Sequence, residues 1–294
     1  MITQYVADMM IKPGKSPVFG TPGDYGLNYQ DVEFKAKDGT TLSGWLIRGG
    51  TEKVVIQSHF GVQCSRAGYT PREKGMIKMW PNDIHFLQQT QHFVALGYSV
   101  LMYDFRNHGA SAAGKCPFVT WGPEEAQDVL AAVDYIANHP DLNGARIGLL
   151  SICMGAASSA YAYGVPGGLQ EYSNIKAMVA VQPLLYPDFV KALGVPGFLD
   201  RWVNDLNLER TGIDLNESSF MPHVQHIPVP TLVIQNENDP WANLDSVKKF
   251  YDELKVEKSM LWLQLEKSRA ASYHYLTENP ETAGDFFEKY LSVG

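Results

Sequence analysis

The hydrophobic pattern of the chain changes period several times. Over QDVEFKAKDGTTLSGWLIRGG, residues 30–50, apolar and polar positions alternate on either side of a Lys-Asp-Gly-Thr turn, which predicts an antiparallel hairpin of two half-buried strands. Short runs rich in β-branched and aliphatic residues follow: KVVIQSH, YSVLMYDF, RIGLLSI, KAMVAVQPL, PTLVIQN and SMLWLQL. Their near-continuous apolar character suits strands buried on both faces. Between them NDIHFLQQTQHFVALG, PEEAQDVLAAVDYIANH, ANLDSVKKFYDELK and ETAGDFFEKYLSV carry helical spacing. In the second, Ala126, Val129, Leu130, Val133 and Ile136 keep one face apolar, and Pro123 with Glu124 and Glu125 marks a helix start. A hairpin followed by alternating strands and helices predicts an α/β protein. Its central sheet is mostly parallel, with an N-terminal antiparallel hairpin and helices on both faces. Ligands on such sheets bind at the carboxyl ends of the strands.

One interval breaks the rhythm. From about Leu184 to Ile227 there is no clean strand, but there is PDFVKALGVPGFLDRWVNDLNLERTGI and several aromatic residues. Tyr186, Phe189, Phe198, Trp202 and Phe220 read as the lining of a helical cap over the strand ends. They also fit a helix pair packed on the core without touching substrate, since aromatic residues at helical spacing commonly mean packing. At 294 residues the expected organisation is one domain over 1–294 with a cap insertion at 184–227.

Composition narrows the function. Hydrophobic residues make up 45% and charged residues 19% of the chain, ordinary for a globular protein and leaving little room for long disordered tails. The formal charge of −8 offers no basic surface for counterion release, so no nucleic-acid partner is expected; a neutral or carbonyl-bearing small molecule fits better. No apolar run reaches bilayer length, and MITQYVADMMIKPGKSP has no basic flank leading into a continuous apolar segment. A cytoplasmic protein with no membrane partner is expected, and the pattern leaves the oligomeric state open. Cys64, Cys116 and Cys153 cannot all pair and are scattered, which fits a reducing compartment.

The stretch GLLSICMGAAS, residues 148–158, is an apolar strand that stops at a cysteine and restarts as a run of small residues. A nucleophile on a tight strand-to-helix turn needs small neighbours two positions before and after it; around Cys153 these are Ser151 and Gly155. A helix N-terminus and a neighbouring imidazole both favour a thiolate. Taken alone, a free cysteine is more often a small buried hydrophobe.

With its Ser-Ile-Cys-Met-Gly corner the chain resembles the α/β-hydrolase superfamily, whose nucleophile elbow usually reads G-x-S-x-G. It is weakly similar to the dienelactone-hydrolase-like branch, where the elbow reads G-x-C-x-G. The resemblance implies the α/β-hydrolase fold and the chain order nucleophile, acid, histidine. In that order Cys153 is the nucleophile and Asp239, in the turn after TLVIQN, is the acid, with Glu237 and Asp188 as alternatives. His274, read as lying in a loop ahead of the last helix, is the base. It further implies an oxyanion hole from the backbone amides of Met154 and Phe60, Gly61 being the second choice for the latter. Tyr186, Phe189, Trp202 and Trp241 are the expected substrate-binding side chains.

YDFRNHGAS resembles the D-x-R-x-H-G-x-S segment of the superfamily, which implies that Asp104, Arg106 and His108 brace the sheet. His223 and His226 lack acidic or cysteine companions for a metal. No metal or cofactor is expected. The implied reaction is acyl transfer through an acyl-cysteine: hydrolysis of a small ester, lactone or thioester, or transfer or ring closure on the same intermediate. A ligand-binding protein that kept the fold without the chemistry is the alternative from another class.

Overall fold

The computed structural model describes residues 2–13, 17–61, 63–72 and 78–292. An N-terminal helix, α1 (Ile2–Ile11), precedes the hairpin of β1 (Tyr29–Lys35) and β2 (Thr41–Ile47), which pair antiparallel with Val32 opposite Gly44. Next come β3 (Lys53–Ser58), the two-residue strands β4 (Gly68–Tyr69) and β5 (Ile84–His85), α2 (Leu87–Ala95), β6 (Ser99–Tyr103) and α3 (Ala126–Ala137). They are followed by β7 (Arg146–Ile152), α4 (Met154–Gly164), β8 (Ile175–Val181), α5 (Tyr186–Ala192), α6 (Gly197–Thr211) and α7 (Met221–Val224). The chain closes with β9 (Thr231–Asn236), α8 (Leu244–Glu253), β10 (Lys258–Leu263), α9 (Ala270–Glu278) and α10 (Glu281–Leu291).

The main sheet has eight strands in the order β1-β2-β6-β3-β7-β8-β9-β10, and from β6 to β10 every neighbouring pair is parallel. Alternation along each strand feeds two cores. Val54, Ile56 and Leu149 pack on one side of the sheet with α3, α4 and α8, and Val55, Leu150 and Ile152 pack on the other with α1, α2, α9 and α10. Each fully buried aliphatic side chain contributes roughly 1.5–3 kcal/mol.

The chain winds from β3 outward to β6 and then crosses back to β7, so β3 and β7 are neighbours whose following loops diverge. That is a topological switch point, and the crevice beyond these strand ends is where a ligand site forms.

Two segments depart from the sequence reading. The helix expected from Asn82 begins only at Leu87, because Ile84 and His85 pair with Tyr69 and Gly68. Gly68 makes this pairing possible: at φ 120° its absent Cβ would lie 1.9 Å from the Ile84 carbonyl oxygen. The stretch after β10, read as a loop, contains α9, which displaces the expected base as described below. Between β8 and β9 the expected helices occur as α5, α6 and α7. This layer contacts α1: α6 packs on it, and Arg210 in the last turn of α6 pairs with Asp8 at 3.0 Å; before α3, Trp121 Nε1 donates to the Met10 carbonyl at 3.0 Å. No helix among the described residues is long and apolar enough to cross a membrane.

Candidate active site

The corner after β7 is strained in the manner its sequence suggests. Cys153 takes φ 53° and ψ −105°, a conformation costly for a residue with a Cβ and persisting only where the surroundings enforce it. Its amide donates to the Val181 carbonyl at 2.7 Å. Ser151 Oγ meets Ser159 Oγ at 2.9 Å, tying the strand to the new helix. Gly155 admits the close crossing of β3, since a Cβ there would lie 2.5 Å from the Ser58 carbonyl oxygen. The thiol therefore sits at the N-cap of α4, where the first amide, that of Met154, has no intrahelical acceptor.

Cys153 opens into an apolar cavity of about 40 Å³. Phe60, Trp80, Trp121, Phe189 and Trp241 supply most of its walls, and Met9 of α1 reaches its edge. Phe60 and Met154 both border this space, and among the described residues neither amide has a hydrogen-bond acceptor. The loop carrying Phe60 is fixed from behind by His59, whose Nε2 accepts from the Phe105 amide at 3.1 Å. Its Nδ1 consequently carries the proton and donates to the Phe60 carbonyl at 2.6 Å.

The polar part of the cavity is built by α9, not by a loop. Arg269, at the N-cap of α9, and Tyr273 are four residues apart and share one helix face. Arg269 Nε donates to Tyr273 Oη at 2.9 Å and Nη2 to the Gln182 carbonyl at 2.5 Å, while Nη1 donates to Asp239 Oδ2. Gln182 turns its carbonyl this way from a left-handed conformation, φ 53°, at the end of β8. The other Asp239 oxygen accepts from the Trp241 amide at 3.0 Å. Cys153 is a side-chain hydrogen-bonding and electrostatic neighbour of both Arg269 and Tyr273. Burial opposes the Arg269 charge, but Cys153, Tyr273 and Asp239 together hold its pKa above the ordinary guanidinium range. Burial likewise pushes the Tyr273 phenol well above its usual value, against a smaller opposing pull from Arg269. The Tyr273 ring lies flat on Phe60, centroids 4.7 Å apart.

His274 is not part of this array. One position beyond Tyr273, it is turned by about 100° around the helix and lines a surface depression with Asn82, Glu266 and Glu278. The carboxylate expected to orient it is occupied by Arg269 and the Trp241 amide. The structure thus brings Cys153 and Asp239 to one cluster with Arg269 between them and leaves His274, the expected base, outside it. Glu237 instead accepts from Gln264 on the surface, and Asp188 lies in the first turn of α5 without an ion pair among the described residues.

Two of the four expected substrate contacts also change. Phe189 and Trp241 line the cavity. Trp202 points outward, 58% exposed and edge-on to Phe198, and Tyr186 is buried behind the wall, its hydroxyl accepting from Asn207 Nδ2 at 3.1 Å. Phe220 packs on Phe250 in the core. Asp104 and Arg106 are engaged elsewhere, Asp104 by Arg66 and the Ala110 amide, Arg106 by Asp128, Asp38 and Glu124. His223 lies tilted against Tyr161, ring centroids 4.7 Å apart.

The chain matches no described protein family and no curated protein sequence. Its three-dimensional structure aligns with an esterase from Pyrococcus furiosus at 25% identity and a TM-score of 0.68, covering 96% of this chain and 98% of that one. The chain has the α/β-hydrolase fold. An α/β hydrolase from a Penicillium species shares the fold at 19% identity, TM-score 0.62, over 90% of this chain and 99% of its own. A dienelactone hydrolase from Anabaena variabilis shares it at 14% identity, TM-score 0.56, over 90% and 99%. Within this fold, Arg269 and Tyr273 are the polar cavity residues that sequence reasoning missed. The available signal was their i, i+4 spacing across the small residues Ala270, Ala271 and Ser272.

Proposed function

We propose that this α/β-hydrolase catalyses acyl transfer through a covalent acyl-Cys153 intermediate, as a hydrolase of small esters, lactones or thioesters. The observation that carries this reading is the thiol itself, held in a strained turn at a helix N-terminus, open to an apolar cavity and beside the Arg269 guanidinium. A guanidinium that cannot lose its proton stabilises an attacking thiolate throughout the working pH range. The amides of Met154 and Phe60 are the donors assigned to the developing oxyanion. The cavity is small, about 40 Å³, which favours a short acyl portion. The P. furiosus relative is an esterase, which agrees with a carbonyl substrate.

A second reading, transfer of the acyl group to an acceptor other than water, is favoured by one observation: among the described residues no histidine lines the cavity to activate water. Intact-mass measurement after incubation with p-nitrophenyl acetate and a short acyl thioester tests both. An acetyl adduct that maps to Cys153 and turns over in water supports the hydrolase; an adduct that is stable until an amine is added supports the transferase. Reversible binding without any adduct would sink both and leave a binding protein.

A further inference from the structure

Resting on the acyl-cysteine reading, we infer that Tyr273 is the acid and base of the reaction, with Arg269 as the cation against which its phenolate forms. Four structural observations converge on it. Tyr273 lines the cavity beside Cys153. Its hydroxyl already accepts from Arg269 Nε at 2.9 Å, so its own proton is directed elsewhere. Its ring is fixed by stacking on Phe60 and by edge contacts with Trp80 and Phe86. The expected base, His274, faces away.

The step balances in charge and atoms. The Cys153 thiolate attacks the substrate carbonyl carbon, and a C–S bond forms. As the tetrahedral intermediate collapses, the bond to the leaving oxygen breaks and that oxygen takes the Tyr273 proton. The negative charge that began on sulfur is now on the phenolate, still against Arg269. In the second half the phenolate takes a proton from water as the water oxygen attacks the thioester carbon. The C–S bond then breaks, releasing the acid and restoring thiolate and phenol. Ester and water become acid and alcohol, and the cavity holds the same net charge at every stage.

The charged and titratable groups facing Tyr273 are Arg269 from its own helix, Cys153 from the β7–α4 turn and Asp239 from the turn after β9; the rings packed on it are Phe60, Trp80 and Phe86. Burial keeps the phenol protonated at working pH, and only in the transition state, with Arg269 beside it, does it release its proton.

The test compares wild type with Tyr273→Phe, which keeps the stacked ring, on ethyl acetate and p-nitrophenyl acetate. Ethoxide needs a proton to leave and p-nitrophenolate does not. The variant should lose about 100-fold or more in kcat on the ethyl ester and far less in the p-nitrophenolate burst, with acetyl-Cys153 accumulating by intact mass because water is no longer activated. Turnover of both esters within threefold of wild type overturns the role of Tyr273 while leaving acyl-Cys153 intact. A wild type that forms no adduct removes the underlying reading instead. If Tyr273→Phe fails to fold, 3,5-difluorotyrosine placed at position 273 answers the same question: a more acidic phenol should bring the alkaline limb of the ethyl-ester profile down by about a unit or more, and an unmoved limb overturns the proposal.

Discussion

Arg269 and Asp239 form an ion pair sealed from water, their side chains 1% and 0% exposed. Removing either member leaves an uncompensated buried charge, which typically costs about 3–5 kcal/mol. Arg269→Met and Asp239→Asn are each expected to lower the urea midpoint by that order, whereas the double variant Arg269→Met/Asp239→Leu should recover most of the loss. Activity should not return with it. A double variant as unstable as the singles would show that the pair does not act as a unit.

Arg269 also faces the thiol. Alkylation of Cys153 by iodoacetamide at pH 7, followed by peptide mapping, should slow by about tenfold or more in Arg269→Met, since a neighbouring cation promotes the reactive thiolate. Cys64 is fully buried and serves as an internal control for unfolding. Equal rates in the two proteins would remove Arg269 from the activation of the nucleophile.

His274 lies outside the cluster, so His274→Ala should retain turnover within about twofold of wild type. Loss of turnover in this variant, with folding intact, would mean that α9 rotates to bring the imidazole inward during the reaction.

Stability should depend on pH through His59. Burial, with the nearby His108 and Arg66 also opposing a proton, draws its pKa from 6.5 down to about 3. The unfolded chain takes up a proton near pH 6.5 and the folded one not until about 3, so the unfolded state binds more protons in between. Stability therefore falls as the pH drops through that window, with this group contributing up to about 1.4 kcal/mol per pH unit. Urea midpoints from pH 7 to 4.5 should fall more steeply for wild type than for His59→Gln; parallel curves would place the acid sensitivity elsewhere.

The elbow depends on Gly155. Its substitution by alanine sets a Cβ 2.5 Å from the Ser58 carbonyl oxygen, backbone that cannot swing aside. Gly155→Ala should cost about 1–3 kcal/mol and suppress Cys153 acylation. Full activity would show that β3 and α4 can separate without disturbing the site.

The sheet was legible because buried parallel strands write themselves as short aliphatic runs, and RIGLLSI, KAMVAVQPL and TLVIQN each correspond to an observed strand. The turn at Cys153 was legible because small residues flank it. The partner of the thiol was not. KSRAASYHYLTEN lacks a clean amphipathic stripe, since Ala270, Ala271, Ser272, Tyr273, Leu276 and Thr277 are all buried and wrap most of the helix circumference. Read as a loop, the segment offered its histidine; wound as α9, it turns Arg269 and Tyr273 inward. The aromatic interval was similarly ambiguous, because Trp202 and Phe189 look alike in sequence and only packing decides that one is outside and the other in the cavity wall.

The ten residues of α1 belong to none of the strand-helix repeats, yet Met9 borders the cavity, and the Met10 and Ile11 carbonyls accept from Trp121 and from the Val119 amide at 2.8 Å. The Cys153 cavity is thus bordered in part by α1. Trimming that segment, or fusing a bulky tag to it, should alter which small molecules enter the cavity and how well water is kept out, long before it disturbed the sheet beneath.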